Sequence, residues 1–582
     1  MPTSKYFAAI AAVGCFLGVA VAGGPSVEPS KSTCQEGSPV AKTKNGTVCG
    51  TRLPTFSQDA FLGVPFAEPP IGDLRLRHPK SFNAAYTAYD ATSQPPSCPG
   101  YAGFDVGIGP LNEDCLYLNV IVPDCNDAPG KKLPVLVWIY GGGFDAGGIA
   151  DPRFNMSYIV QESAAMGQPI LGVSINYRVG GWGFLASKEV LEDGSANIGL
   201  FDQRLALRWL SENIEAFGGD PDQITIWGES AGAFSVGYHL IGFDGQHDNL
   251  FRAAIMESGT MLGPAIQDAK TLALDGGYQA MYDNVTKVVG CDTAKDTLEC
   301  LRTVPYASLF AAFEPQVYTP ILDGTFLTRS PSESLAMGKV AEVAVLLGAN
   351  TDEGTASFWG PRGTLQANDD VAAFIQSLNG GGLTQSEVDQ LLLLYPDIPS
   401  LGCPYGTGND RFADQGWMYK RGASIAGDIF IHAGRRGTAK YFAQSQGQKN
   451  NPVYSYRFDQ SPWNGTEELI ATVPPVYSTH FTELIFVFHN PSQDLSNYIG
   501  PYSSYHQLSK LMCRSWISFV GNLDPNHHHI SGVPFWPVYN LESPINIVYR
   551  TTDNNGGTFL EKDIYRGVQL DWWNEHWLTL RS

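Results

Sequence analysis

Unbroken apolar runs, separated by stretches of helical period, organise the middle of this chain. Val135–Tyr140 (VLVWIY) and Ile170–Tyr177 are continuous apolar runs, the pattern of strands buried on both faces. Between Ile198 and Phe217, Phe201, Leu205 and Trp209 recur at helical spacing. Asn197 stands at the capping position of that helix, and Gly218-Gly219 ends it. Ile224–Trp227 reads as a strand and Ala231-Gly232-Ala233 as a helix start. Further strands are predicted at Arg252–Met256, Val343–Gly348 and Val453–Phe458, and a late helix at Tyr505–Val520. Buried strands alternating with helices predict a large, mostly parallel central sheet flanked by helices, an α/β fold. No internal repeat or linker divides the chain, so residues 23–582 are expected to form a single domain with long insertions.

The N-terminus changes that picture by adding an address. Lys5 precedes the apolar run Tyr6–Val21, and Ala20-Val21-Ala22 offers a cleavage site, so residues 1–22 read as a signal peptide. No later run reaches membrane-spanning length, which predicts an exported, extracellular protein without stable membrane insertion. A net charge of −21, with no basic cluster beyond Lys131-Lys132, argues against a nucleic-acid partner. Ten cysteines suit an oxidising compartment, and loss of Cys15 with the leader leaves an odd number. Cys34 and Cys49 are spaced to staple an N-terminal flap. A Cys98–Cys115 bridge would close a small loop and contribute about 3 kcal/mol. Sequons at Asn45, Asn155, Asn284 and Asn464 are expected glycosylation sites.

Candidate chemistry centres on Gly228-Glu229-Ser230-Ala231-Gly232, a G-x-S-x-G between the predicted strand and helix. A strand turning sharply into a helix exposes the corner residue, and a serine there presents its hydroxyl above the sheet. Gly141-Gly142-Gly143, at the end of another buried strand, offers backbone N–H groups unobstructed by side chains. A serine needs a base, and the base an orienting acid. The downstream histidines are His239, His247, His432, His480, His489, His506 and His527-His528-His529, and composition does not choose among them. The triple histidine reads as a solvated loop, with no partner at metal-ligand spacing.

Longer motifs narrow the choice. FLGVPFAEPP, Glu113–Val120 (EDCLYLNV) and GGDPDQITIWGESAG resemble the type-B carboxylesterase/lipase family, which includes cholinesterases and fungal lipases. The resemblance covers almost all of the mature chain and implies the α/β-hydrolase fold. It implies Ser230 as nucleophile, Glu353 in NTDEGT as the acid, with Asp352 as runner-up, and His480 in HFTELIFVF as the base. It further implies Gly142, Gly143 and Ala231 as oxyanion donors, Cys98–Cys115 and Cys291–Cys300 disulfides, and an Arg75–Glu113 ion pair. No metal or organic cofactor is implied.

Two departures from the family pattern bear on function. Tyr140 precedes the glycines where many animal relatives carry histidine, a change that backbone donors tolerate. The Cys98–Cys115 loop is short for a lid, which favours soluble esters over the alternative of an interfacially activated lipase or sterol esterase. A non-catalytic, cholinesterase-like binding protein is the reading from a different class; a protease or amidase would also use such a triad. Phe358, Trp359 and Trp463 either line a substrate pocket or fill the core, the core being the expectation for each. Among Cys125, Cys403 and Cys513, one bridge is expected to be Cys403–Cys513. Acyl and alcohol preference and oligomeric state are not legible.

Overall fold

The computed structural model describes residues 33–580, apart from 102–107, 125–129, 264–276, 315, 357–361, 379–381, 446–450, 464–476, 492–498 and 555. The expected signal peptide, Asn464, Cys125, Phe358 and Trp359 therefore lie outside the described residues. In chain order the strands are β1 (Val40–Thr43), β2 (Gly46–Cys49), β3 (Thr51–Leu53), β4 (Gln58–Pro65), β5 (Tyr86–Asp90), β6 (Tyr117–Pro123) and β7 (Leu133–Ile139). They continue with β8 (Leu171–Ile175), β9 (Gly219–Glu229), β10 (Ala253–Glu257), β11 (Ala344–Asn350), β12 (Val453–Phe458), β13 (Ile545–Tyr549) and β14 (Phe559–Lys562).

Eleven strands form one sheet in the order β14-β13-β12-β11-β10-β9-β7-β8-β6-β4-β3. The central run from β8 to β13 is parallel throughout. Antiparallel pairs are confined to the two margins. The apolar runs explain that division: β8, β10 and β11 are buried at every position, so helices must cover both their faces. The fold is the expected α/β-hydrolase sheet. Across its centre Trp138 on β7 and Trp227 on β9 pack with ring centroids 4.5 Å apart, and Phe488 lies 4.5 Å from Trp227.

The helix expected over Ile198–Phe217 is α-helical to Asn213 and tightens to a 3₁₀ turn over Ile214–Phe217, before Gly218 ends it at φ 86°. Asn197 occupies the capping position, but its side chain does not cap. It bonds both the N–H and the carbonyl of Ile321, sewing the helix start to a distant loop. The late helix runs from Ser503 to Asn522.

Disulfides join Cys34–Cys49, Cys98–Cys115 and Cys291–Cys300 as expected. The expected Cys403–Cys513 bridge is absent; both are buried free thiols. Cys513 lies on the Ser503–Asn522 helix in the main core, whereas Cys403 packs in a separate small cluster with Tyr419 and Ala423. Arg75 and Glu113 form the implied pair, bidentate at 2.6 and 2.7 Å and nearly closed to solvent. The triple histidine is not uniformly solvated: His528 is buried and its Nδ1 accepts from the Ile530 N–H. Trp463 is 41% exposed and meets Tyr502 edge-on, so it does not fill the core.

Peptide mapping without reduction is expected to recover the three bridges. Alkylation of Cys403 and Cys513 is expected only after denaturation; labelling of either in the folded protein would contradict this packing.

Candidate active site

Three close approaches build the corner at Ser230. Strand β9 ends at Glu229 and the helix Ala231–Gly245 begins one residue later, so the whole reversal falls on Ser230, at φ 55° and ψ −124°. An L-residue keeps such a conformation only where its surroundings hold it. Here its N–H donates to the Glu257 carbonyl at the end of β10 (3.0 Å), and its carbonyl accepts from Phe234 (2.8 Å). A Cβ on Gly228 would collide with the Gly232 carbonyl, and one on Gly232 with the Ile139 carbonyl of β7. These two glycines let strand, helix and neighbouring strand touch by their backbones.

The glycine loop follows β7 directly. A Cβ on Gly141 would stand 2.6 Å from the Glu229 carbonyl and 3.1 Å from Ser230 Cβ, which places the loop against the serine corner. Gly142 and Gly143 hold φ values of 102° and 68°, the left-handed range where glycine is favoured. Their N–H groups meet no backbone acceptor among the described residues. Behind them Tyr140 and Tyr177 stack at 4.4 Å, each hydroxyl bonding the other's carbonyl, and so tie the ends of β7 and β8 together.

Glu353 opens a 3₁₀ turn immediately after β11, and its Oε2 lies 2.6 Å from His480 Nδ1. Its Oε1 accepts from the Asn350 N–H (2.7 Å) and the Ser258 hydroxyl (2.6 Å). Burial works to raise this carboxyl, but His480, nearby His432 and the Ser258 hydroxyl outweigh it and hold it below its ordinary value. Asp352, the runner-up, turns away: its carboxylate accepts from the Tyr405 N–H, beside Cys403. Of the candidate histidines, His480 alone meets Glu353. His239 bonds Gln203, His489 bonds Ser509, and His506 bonds the Gly500 carbonyl.

His480 Nε2 lies 3.1 Å from Oε1 of Glu229, the residue before Ser230. Burial, and then Glu483, Glu353 and Glu257, push Glu229 well above the carboxylate range. Burial and Glu353 raise Glu483 to about 8, and burial and Glu483 raise Glu257 well above its ordinary value. Burial and mutual repulsion therefore disfavour the charged forms of Glu229, Glu257 and Glu483, while Glu353, beside the imidazole, is the one of the four held below its ordinary value. Sequence reasoning missed Ser258, Asn350 and Glu257 as parts of this site. Their signal was position: each closes or follows a buried strand at the same sheet edge as Ser230.

The structure thus brings Glu353 to His480, His480 alongside the serine corner, and the glycine loop against Ser230. A model of the carboxylesterase family matches residues 37–563. Secreted lipase 1 of Botryotinia fuckeliana is 37% identical over 555 residues, covering 88% of this chain and 89% of the relative. Secreted triacylglycerol lipase LIP1 of Gibberella zeae is 33% identical, covering 88% of this chain and 86% of its own length. The crystal structure of Aspergillus niger EstA superposes with a TM-score of 0.77 at 28% identity, over 94% of this chain and 99% of that one.

Removing the Ser258 hydroxyl takes one donor from ionised Glu353 and raises its pKa. Ser258→Ala is expected to lower kcat/KM on an ester by about tenfold. Because Glu353 must then lose its proton at higher pH, the acid limb of the pH–rate profile should move upward. An unmoved limb with undiminished rate would exclude this role.

Proposed function

The chain belongs to the carboxylesterase family, and on that footing we propose that it is an exported serine hydrolase cleaving carboxylic esters through an acyl-enzyme on Ser230. The contact that carries this reading is His480 Nδ1 to Glu353 Oε2 at 2.6 Å, beside a serine held in a strained corner.

In this reading Ser230 Oγ attacks the ester carbonyl while His480 Nε2 takes its proton. Glu353 fixes the imidazole tautomer and stabilises the imidazolium as it forms. Charge developing on the carbonyl oxygen is met by the N–H groups of Gly142, Gly143 and Ala231, which need no reorganisation because the glycine loop is already held against the corner. His480 then gives its proton to the departing alcohol. A water entering the same position is deprotonated by His480 and cleaves the acyl-enzyme. Burial disfavours the charged form of Glu229, which suits this cycle, since an ionised carboxylate beside Nε2 would bind the proton His480 must pass on.

Soluble esters are the favoured substrates. The arms of the Cys98–Cys115 loop are pinned at their base, with Ser97 N–H on the Pro110 carbonyl and Asn112 N–H on the Ser97 carbonyl, both at 3.0 Å. Tyr101 N–H donates to the Asp145 carbonyl at 3.0 Å, which ties this arm to the residues after the glycine loop. So short a loop covers little apolar surface. A second reading, an interfacially activated lipase, draws on the lipase names of the two fungal relatives. The non-catalytic alternative is disfavoured because serine, acid, base and glycine loop are all retained.

Export rests on the N-terminal apolar run, the three disulfides and the secreted naming of those relatives. Among the described residues no helix is long and apolar enough to cross a membrane. Of the sequons, Asn284 is exposed on the helix Tyr278–Val288, whereas Asn45 spends its amide on the Phe82 and Ala84 carbonyls. Asn155 turns its Oδ1 onto the Ser157 N–H. Glycan mapping should therefore find Asn284 occupied in preference to Asn45; the reverse order would count against the Asn45 bonds.

The deciding assay is hydrolysis of p-nitrophenyl esters from acetate to palmitate. Turnover should peak at short chains and fall by about 10⁴-fold or more in Ser230→Ala. A rate that jumps above the solubility limit of long chains would establish the lipase reading. No turnover of any ester would sink both.

A further inference from the structure

Nine lysines and arginines are buried among the described residues, and seven of them form ion pairs with a carboxylate, as Arg178 does with Asp202 and Arg435 with Asp563. Lys420 and Arg421 are the other two. Lys420 Nζ donates to the Thr407 hydroxyl (2.6 Å) and the Gly408 carbonyl (3.2 Å). The Arg421 guanidinium donates to the Tyr395 and Leu392 carbonyls and to the Asn368 amide oxygen. Every one of those acceptors is neutral. An arginine has five N–H donors and a lysine ammonium three, so two remain on Arg421 and one on Lys420. Burying a charge without an opposite one is costly, and burial pushes both groups below their ordinary pKa values.

Both residues open the helix Tyr419–Gly427, and both line a cleft of about 470 Å³ that is open to solvent on one side. Its other walls are the end of the helix Gln385–Leu394, the loop 395–402 and the start of the helix Gly567–Leu580. Four basic side chains line it, Arg411 and Arg566 besides Lys420 and Arg421, against one acid, Asp397. Asp397 is occupied by Arg411, at 2.7 and 3.2 Å, and Arg566 pairs with Asp428, which does not line the cleft. In a protein of net charge −21 this cleft is therefore positive. The first turn of the helix Tyr419–Gly427 adds potential of the same sign. The mouth is apolar: Ile398, Leu401 and Trp417 are each about half exposed, and Arg411 lies 4.3 Å from the centre of the Trp417 ring. Ser230, Glu353 and His480 do not line the cleft.

A metal ion or an organic cation is repelled here, and a neutral ligand would leave both charges unmatched. Inorganic phosphate or sulfate would match them but leave the apolar mouth without a contact. A carboxylate on an apolar body meets both demands. Its two oxygens accept from Arg421 and Lys420, and its body lies against Ile398, Leu401 and Trp417. We propose that this cleft is a binding site for an organic monocarboxylate, held by Lys420 and Arg421 outside the catalytic cluster. The site stands apart from the ester-hydrolase reading, since it uses none of the residues that carry that chemistry.

Calorimetric titration of the full chain with sodium hexanoate, against equal sodium chloride, tests this. The wild type should bind one equivalent, and Lys420→Met, which keeps the apolar stem and removes the charge, should bind about tenfold more weakly or worse. Hexanamide has nearly the same shape and no charge, and it should bind the wild type about tenfold more weakly than hexanoate or worse. That comparison needs no variant to fold. No hexanoate binding by the wild type, equal binding by Lys420→Met, or equal binding of hexanamide overturns the site. Hexanoate lodged at Ser230 instead would not respond to Lys420→Met and so counts against it. Sulfate binding more tightly than hexanoate would overturn the assignment to a carboxylate with an apolar body.

Discussion

Backbone contact among β7, β9 and the helix Ala231–Gly245 is the constraint on which the rest of this protein turns. Gly228 and Gly232 leave no room for a side chain between them or against Ile139. That closeness forces the reversal of the chain onto a single residue, Ser230, whose φ of 55° is stabilised by the Glu257 carbonyl of the next strand. The same contact brings Gly141 against the serine. Larger residues at these positions would separate the strand from the helix and the loop from both.

Sheet order then does the assembling. Strands β7, β9, β10 and β11 are adjacent and parallel, so their carboxyl ends lie along one edge. The glycine loop, Ser230, Ser258 and Glu353 each sit just past one of those ends. One loop and three residues from separate stretches of the chain become neighbours because four strands are. His480 comes from elsewhere and is seated by Glu353, whose other oxygen is occupied by Asn350 and Ser258.

Charge is managed differently in the site and around it. In the scaffold, buried acids meet arginines, as Arg75 meets Glu113 and Arg435 meets Asp563. In the site, Glu229, Glu257, Glu353 and Glu483 share a buried volume, and desolvation together with repulsion disfavours the charged forms of Glu229, Glu257 and Glu483. Glu257 is anchored by the Trp227 and Trp516 indoles, at 2.6 and 2.5 Å, and not by a cation. Of the four, Glu353 is the one favoured in its charged form, and that charge faces the imidazole in surroundings of low dielectric where it counts most.

The apolar runs were legible because strands buried on both faces must be apolar throughout, and β7, β8, β10, β11 and β12 lie within a few residues of where periodicity put them. The serine corner and the glycine loop were legible because only glycine permits such approaches. Short-range pattern carries no information about which distant groups meet, and it was there that reading the residues alone failed. Asn197 holds Ile321 in place of capping its helix, and Cys403 and Cys513 pack in different clusters. His528 is buried while Trp463 is not. Composition and periodicity thus defined the sheet, the serine corner and the glycine loop, whose geometry is local to a few consecutive residues. The choice of His480 among many histidines came from its likeness to a family motif, and the donors on Glu353 and the crowding of Glu229, Glu257 and Glu483 around it came from folding. Those are properties of burial and distance, which exist only once strands from across the chain lie side by side.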